Sequence, residues 1–231
     1  MKKLLIILVT MLPLVVNADP VEIDGIWYNL IIKGKVAEVT QNPENISYTT
    51  DVIDIPSSVQ YDGVTYSVTS IGSFAFSDCK NLISINLPNS IKDIESCAFS
   101  GCKNLPYISI PSSVTSIGKR AFYDCSLTFV NISDIEAWCK IQFDDISSNP
   151  LYYARHLYLN GEEIKVLNIP NSVSTIGNYV FSGHTNLTSV NLPNNVTSIG
   201  ICAFEGCTSL TSINIPSSVK IIEAGTFLAC I

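Results

Sequence analysis

The chain repeats itself, and the length of the repeat constrains its fold more than any composition figure does. The phenylalanines Phe76, Phe99, Phe122, Phe181, Phe204 and Phe227 fall 23, 23, 59, 23 and 23 residues apart. Prolines in "IP" or "LP" dipeptides, Pro56, Pro88, Pro111, Pro170, Pro193 and Pro216, keep the 23-residue beat over three of their five intervals. A unit this short cannot bury its apolar face alone, so copies must stack and share one core. The fold class expected is a mainly β repeat solenoid.

The unit "NLTSVNLPNNVTSIGICAFEGC", Asn186 to Cys207, shows how a coil is built. Leu187, Val190 and Leu192 point inward from a β-prone segment that Pro193 ends. "NNVTSIG" turns the chain and buries Val196 and Ile199, with Gly200 supplying backbone freedom for a second turn. Ala203, Phe204 and Cys207 then pack inward in a short helical or irregular turn. Each coil should add one strand to a single parallel sheet, with turns or short 3-10 segments on its other sides.

Two stretches break the beat. Residues 19–52, with "GIWYNLIIKGKVAEVTQ", alternate apolar and polar residues and read as a β-hairpin cap over the first coil. A solenoid needs such a cap, because an open end exposes core and strand edges. "QYDGVTYSV" carries a Tyr-Asp-Gly turn signal and predicts a second hairpin extending the cap. The 59-residue interval exceeds two repeats by 13 and marks an enlarged, atypical coil at about 127–164 within a repeat domain of 53–231. It holds a strand at Leu127–Ile132 and a short helix capped by Asp134, with Ile135, Trp138 and Ile141 or Cys139 inward. Asn160-Gly161 then signals a hairpin.

Ahead of the repeats, Lys2 and Lys3 precede "LLIILVTMLPLVV", and "VNA" precedes Asp19. This is the pattern of a secretory signal peptide, residues 1–18. The apolar run is shorter than the span of about 20 residues that crosses a membrane, and no later run approaches that length. No membrane span is expected after cleavage. A formal charge of −7, with only 14% of residues charged and those scattered, gives no footprint for nucleic acid or an anionic membrane surface.

The columns L-x-x-I-x-(I/L)-P-x-S-V-x-x-I-G-x-x-A-F-x-x-C recur together in six units from about Ile53 to the C-terminus. They resemble the leucine-rich repeats of the BspA-like family of secreted and cell-surface proteins. The resemblance implies a right-handed coil with one parallel sheet face, and adhesion to a host or extracellular-matrix protein without enzymatic activity or cofactor. The chain stops at Ile231, after the Cys of a sixth motif and before the strand that should follow it.

Cys79, Cys102, Cys125, Cys207 and Cys230 share one column, which His184 fills in the unit between. A ladder of small buried thiols explains this better than a metal site, since the column follows the packing period and no C-x-x-C pair occurs. Cys97 and Cys202 share a second, variable column with Phe74, Arg120, Tyr179 and Gly225. Their short separation from Cys102 and Cys207 leaves local Cys97–Cys102 and Cys202–Cys207 disulfides open. His156 has no acidic partner identifiable from sequence and no G-x-S-x-G occurs, so no catalytic residue is assigned. A hydrolase seated in the enlarged coil is the weakest reading. Asp144, Asp145, Ser147 and Asn149 read as an acidic, solvated turn rather than a calcium loop.

The outward strand positions form two rows: Ser84, Tyr107, Phe129, Val166, Ser189 and Ser212, then Asn86, Ser109, Asn131, Asn168, Asn191 and Asn214. Tyr107, Phe129 and Val166 interrupt a polar face on consecutive coils, with Asn131 and Asn168 beside them. This is the candidate binding surface, for an extracellular or host protein or, alternatively, for a glycan using Tyr107, Phe129 and Trp138. The competing expectation is that the enlarged coil folds over and buries those rings.

Overall fold

The computed structural model describes residues 19–44 and 47–230. Residues 1–18, read from the sequence as a signal peptide, lie outside the described residues. The chain is a mainly β solenoid whose coils carry strands on two sides, joined by turns.

The N-terminal segment is a three-stranded antiparallel meander, Val21–Ile23, Ile26–Ile31 and Val36–Thr40. Alternation puts Tyr28, Leu30, Ala37 and Val39 in the core. Asp24 and Gly25, both at positive φ, close the first hairpin. The meander continues directly into the coils: Val36–Thr40 pairs in parallel with Val64–Ile71, which also forms an antiparallel hairpin with Ser58–Tyr61. From Val64–Ile71 the same ladder runs through Asp93–Ile94 and Ser116–Ile117 to Gln142–Phe143. Beyond the enlarged coil, Thr175–Ile176, Ser198–Ile199 and Ile221–Ile222 form a second run of these short bridges.

The main face differs from the single sheet expected from the repeat. Val52–Asp54 pairs with Ser84–Asn86; Tyr107–Ile110 pairs with Phe129–Ile132 and then Leu157–Leu159; Val166–Asn168 pairs with Ser189–Asn191 and then Ser212–Asn214. The break before Val166 has a local cause. Leu157–Leu159 turns at Asn160-Gly161 into the antiparallel Glu162–Glu163, so its free edge is taken by its own hairpin.

Behind these ladders the phenylalanines stack ring on ring. Phe76, Phe99 and Phe122 have centroids 5.4 and 5.2 Å apart with nearly parallel planes, and Phe181, Phe204 and Phe227 follow at 5.4 and 5.8 Å. Between Phe122 and Phe181 the enlarged coil supplies other apolar bulk. Helix Ile135–Lys140, capped by Asp134 at the backbone N–H groups of Glu136 and Ala137, buries Ile135, Trp138 and Cys139, and the indole of Trp138 donates to the Val180 carbonyl at 3.0 Å. Asp145 caps the 3-10 turn Ile146–Ser148, and Asn149 caps helix Pro150–Ala154. The oxygens read from sequence as a solvated turn are thus largely engaged in local capping.

Gly200 has a different role from the one its position suggests. It lies outside the positive-φ region; instead a Cβ there would sit 2.7 Å from the Asn178 backbone nitrogen and 2.7 Å from the Gly177 carbonyl carbon. Gly118 is equally tight, 2.6 Å from the Ser96 nitrogen. Glu95 and Glu223 fill the same column in two coils, and glycine stands at 72, 118 and 200 where adjacent coils touch backbone to backbone. Left-handed backbone falls elsewhere, at Phe74, Cys97, Arg120, Tyr179, Cys202 and Gly225, with φ between 51° and 69°.

Candidate functional site

The thiols resolve first. Cys102 donates to the Phe76 carbonyl at 3.1 Å, Cys125 to Phe99 at 3.0 Å, Cys207 to Phe181 at 3.3 Å and Cys230 to Phe204 at 3.1 Å. These four thiols bond the phenylalanine carbonyl of the preceding coil, a weak bond repeated along the core, whereas Cys79 reaches the Ser77 carbonyl at 4.0 Å. Burial pushes Cys79 up to about 11 and Cys139 up to about 12, and raises Cys207 further. Such thiols stay protonated and inert. His184 makes a different bond with its ring: Nε2 donates to the Ile164 carbonyl at 2.7 Å. The ring is fully buried, and burial lowers its pKa.

All eight cysteines are unpaired, so the local Cys97–Cys102 and Cys202–Cys207 disulfides do not form in this structure. Geometry explains it. The Cys97 thiol turns to the Lys119 carbonyl of the following coil at 3.9 Å, while that of Cys102 turns to the preceding one; Cys202 and Cys207 diverge in the same way, toward Ala224 and Phe181. The variable column holding Cys97 and Cys202 is the left-handed one. What it selects is a backbone conformation, which is why its side chains differ so widely.

His156, without a partner in sequence, has one in space. Its Nδ1 lies 2.7 Å from Glu163 Oε1, to which the Asn186 amide also donates at 2.9 Å, with Lys165 3.7 Å from the other oxygen. The Asn186 and His156 hydrogen bonds hold the Glu163 carboxyl below the usual carboxylate range. Hairpin topology makes this contact by folding residue 163 back toward residue 156, which no linear spacing rule would have found. The cluster ties the hairpin to the next coil.

On the main face, Tyr107 and Phe129 are paired neighbours whose rings are parallel, with centroids 5.0 Å apart. The third ring is Tyr158, 4.8 Å from Phe129 and tilted by 45°. Val166, expected beside Phe129, is exposed but belongs to the ladder beyond, because the strand Leu157–Leu159 intervenes. Trp138, named from sequence as a glycan contact, is in the core. Tyr158 was missed because its strand falls off the 23-residue beat; the Asn-Gly hairpin that creates it was the available signal. Tyr107 is open to solvent, and Phe129 and Tyr158 are half-buried.

The amide row beside the rings is discontinuous. Asn131 accepts from the Gly161 N–H at 3.0 Å and reaches Ser109 at 3.4 Å, fixing the hairpin that carries Tyr158. Asn168 accepts from Asn191 at 2.7 Å in the other ladder, and Asn86 donates to Asp54 at 2.7 Å. Next to the rings, a shallow hollow of about 410 Å³ is lined by Asn86, Asn89, Ser109, Asn131, Ser133 and two prolines, Pro88 and Pro111.

The repeat fold has known counterparts. The model of the BspA type leucine-rich repeat region matches residues 57–149 and 154–231 in six copies. The chain belongs to the BspA-type leucine-rich repeat family. Among solved structures, a leucine-rich repeat protein from Bacteroides ovatus is 26% identical with a TM-score of 0.52, over 88% of this chain and 55% of that one. The T. pallidum leucine-rich repeat protein is also 26% identical with a TM-score of 0.52, over 84% of this chain and 82% of its own. This chain therefore spans about half the length of the B. ovatus protein. No curated protein matches it.

Proposed function

We propose that the protein is exported, acts at the cell surface or outside the cell, and binds an extracellular or host protein through the main sheet face without catalysing a reaction. The observation that carries this is the stack of Tyr107 on Phe129 at 0° and 5.0 Å. Rings stacked face to face present their edges to a partner. A glycan docks its C–H groups on a free aromatic face, and here Phe129 has a ring beside it on each side and Tyr107 on one. Edge-on rings flanked by Ser and Asn make a flat apolar stripe with a polar rim, the pattern of a protein interface centred on aromatic anchors. The basic and apolar leader at residues 2–18, ending in Ala18, supports export.

The test is binding of the protein lacking residues 1–18 to immobilised extracellular-matrix proteins and, in parallel, to a glycan array. Tyr107→Ala and Phe129→Ala should each weaken protein binding at least tenfold, with circular dichroism unchanged. Glycan binding without protein binding, or variants that bind as the parent does, would reject the reading.

A further inference from the structure

We propose that the turn side of the enlarged coil docks an acidic polypeptide segment of a partner protein, through two arginines held over tyrosine rings. Arg120 and Arg155 are the only arginines in the chain, and both are exposed. The Cζ of Arg120 lies 5.6 Å from the centre of the Tyr123 ring, and that of Arg155 lies 5.1 Å from the centre of Tyr152. Among the described residues neither guanidinium forms an ion pair. Two carboxylates that flank this side are engaged by lysines instead, Asp124 by Lys103 at 3.1 Å and Asp145 by Lys119 at 3.4 Å.

The fold joins the two arginines across coils. Arg120 donates its backbone N–H to Ser147 Oγ at 3.3 Å, and Tyr153 donates its hydroxyl to the Ser147 carbonyl at 3.2 Å. The Tyr153 ring meets that of Tyr152 edge-on, with centroids 5.4 Å apart, and Arg155 lies over Tyr152. Burial, then the neighbouring Tyr152, Asp145 and Tyr123, pushes the Tyr153 hydroxyl up to about 12, so it stays a neutral donor. Left-handed backbone at both arginines, φ 57° and 68°, fixes where their side chains leave the chain. Arg155 also reaches over two glycines: a Cβ at Gly183 would lie 3.3 Å from its Nη1, and one at Gly206 4.0 Å away. Glycine at these positions leaves the guanidinium its seat.

A guanidinium stacked on a ring keeps its in-plane N–H groups free, and that fork matches a carboxylate with two parallel hydrogen bonds. Arginine and tyrosine are also the residue types that carry much of the energy of an interface once a partner covers them. Charge decides the occupant. Two separate positive forks without internal partners call for discrete carboxylates, as Asp or Glu side chains on a polypeptide supply. A long polyanion such as a sulfated glycan would set further negative charge against Asp124 and Asp145, on a chain of formal charge −7. The surface is separate from the Tyr107–Phe129 stack and does not depend on it.

The probe is a peptide of alternating glutamate and glycine with both ends blocked. Because the chain has only two arginines, each Nε–Hε group gives one NMR signal that its own variant assigns. Both signals should shift and saturate with the glutamate peptide and stay in place with a glutamine counterpart, a comparison made on the unmodified protein. Arg120→Lys and Arg155→Lys keep the charge and lose the fork, so each should weaken binding at least fivefold while the melting temperature holds; Tyr107→Ala should leave binding unchanged. Unmoved signals, equal binding of the glutamine peptide, or lysine variants that fall short of that loss would overturn the proposal. So would a heparin oligosaccharide that binds more tightly than the glutamate peptide and displaces it, since the occupant would then be a glycan.

Discussion

Replacing Phe99 by Ala tests the physical basis of the whole solenoid. Its ring is fully buried between Phe76 at 5.4 Å and Phe122 at 5.2 Å, with planes 14° and 9° from parallel. Truncating a buried phenylalanine costs about 3–5 kcal/mol through lost transfer energy and the cavity left behind. Two parallel ring contacts add about 0.5–1.5 kcal/mol each. The neighbours cannot collapse into the gap, because Phe99 N donates to Ala121 O at 2.8 Å and Phe76 N to Ala98 O at 2.8 Å, locking the coils at fixed spacing. The expected loss is therefore at the top of the range, about 5 kcal/mol, measured by urea denaturation at equilibrium. Phe227→Ala supplies the internal comparison. That ring is only half-buried and stacks on one side alone, on Phe204 at 5.8 Å, so its loss should be roughly half as large. If both variants lose less than about 2 kcal/mol, or lose equally, stacking along the file is not what holds the coils together.

Three further outcomes are expected. Gly118→Ala, whose Cβ would meet the Ser96 nitrogen at 2.6 Å, should lower stability by about 2 kcal/mol or more, whereas Cys97→Gly, relieving φ of 56°, should raise it by about 1 kcal/mol; paired melting curves decide. Maleimide labelling should count eight thiols in the unfolded protein, with half-exposed Cys97 reacting far sooner than buried Cys102 in the native one; a count of six or fewer would restore a disulfide. His184 binds a proton more readily unfolded than folded, since burial lowers its pKa, so the stability it supports is present above the ordinary value of 6.5 and falls as pH drops below it. His184→Cys, the residue of its column elsewhere, should flatten that limb of the stability–pH curve below about pH 6.5.

The solenoid, its coil length and the inward residues were legible in the sequence. They follow from one periodicity, because a repeated apolar column has few other ways to leave water. Columns also showed that Cys102 and Cys207 are structural. They did not show why Cys97 and Cys202 stand in a different column, since a backbone dihedral leaves no trace in residue type when Phe, Arg, Tyr and Cys all accept it. The candidate face was legible in part: Tyr107 and Phe129 are neighbours, but the third ring is Tyr158, not Val166.

The sequence by itself determined that coils stack and which side chains fill them, because burial of a periodic apolar set is a one-dimensional problem. Only the tertiary structure decided what happens where the period fails. There Leu157–Leu159 enters the main face, Glu163 folds back onto His156, and the short ladder stops at Gln142–Phe143 and resumes at Thr175–Ile176. The first two contacts join residues through hairpin return, which depends on three-dimensional closure and carries no repeat to be read.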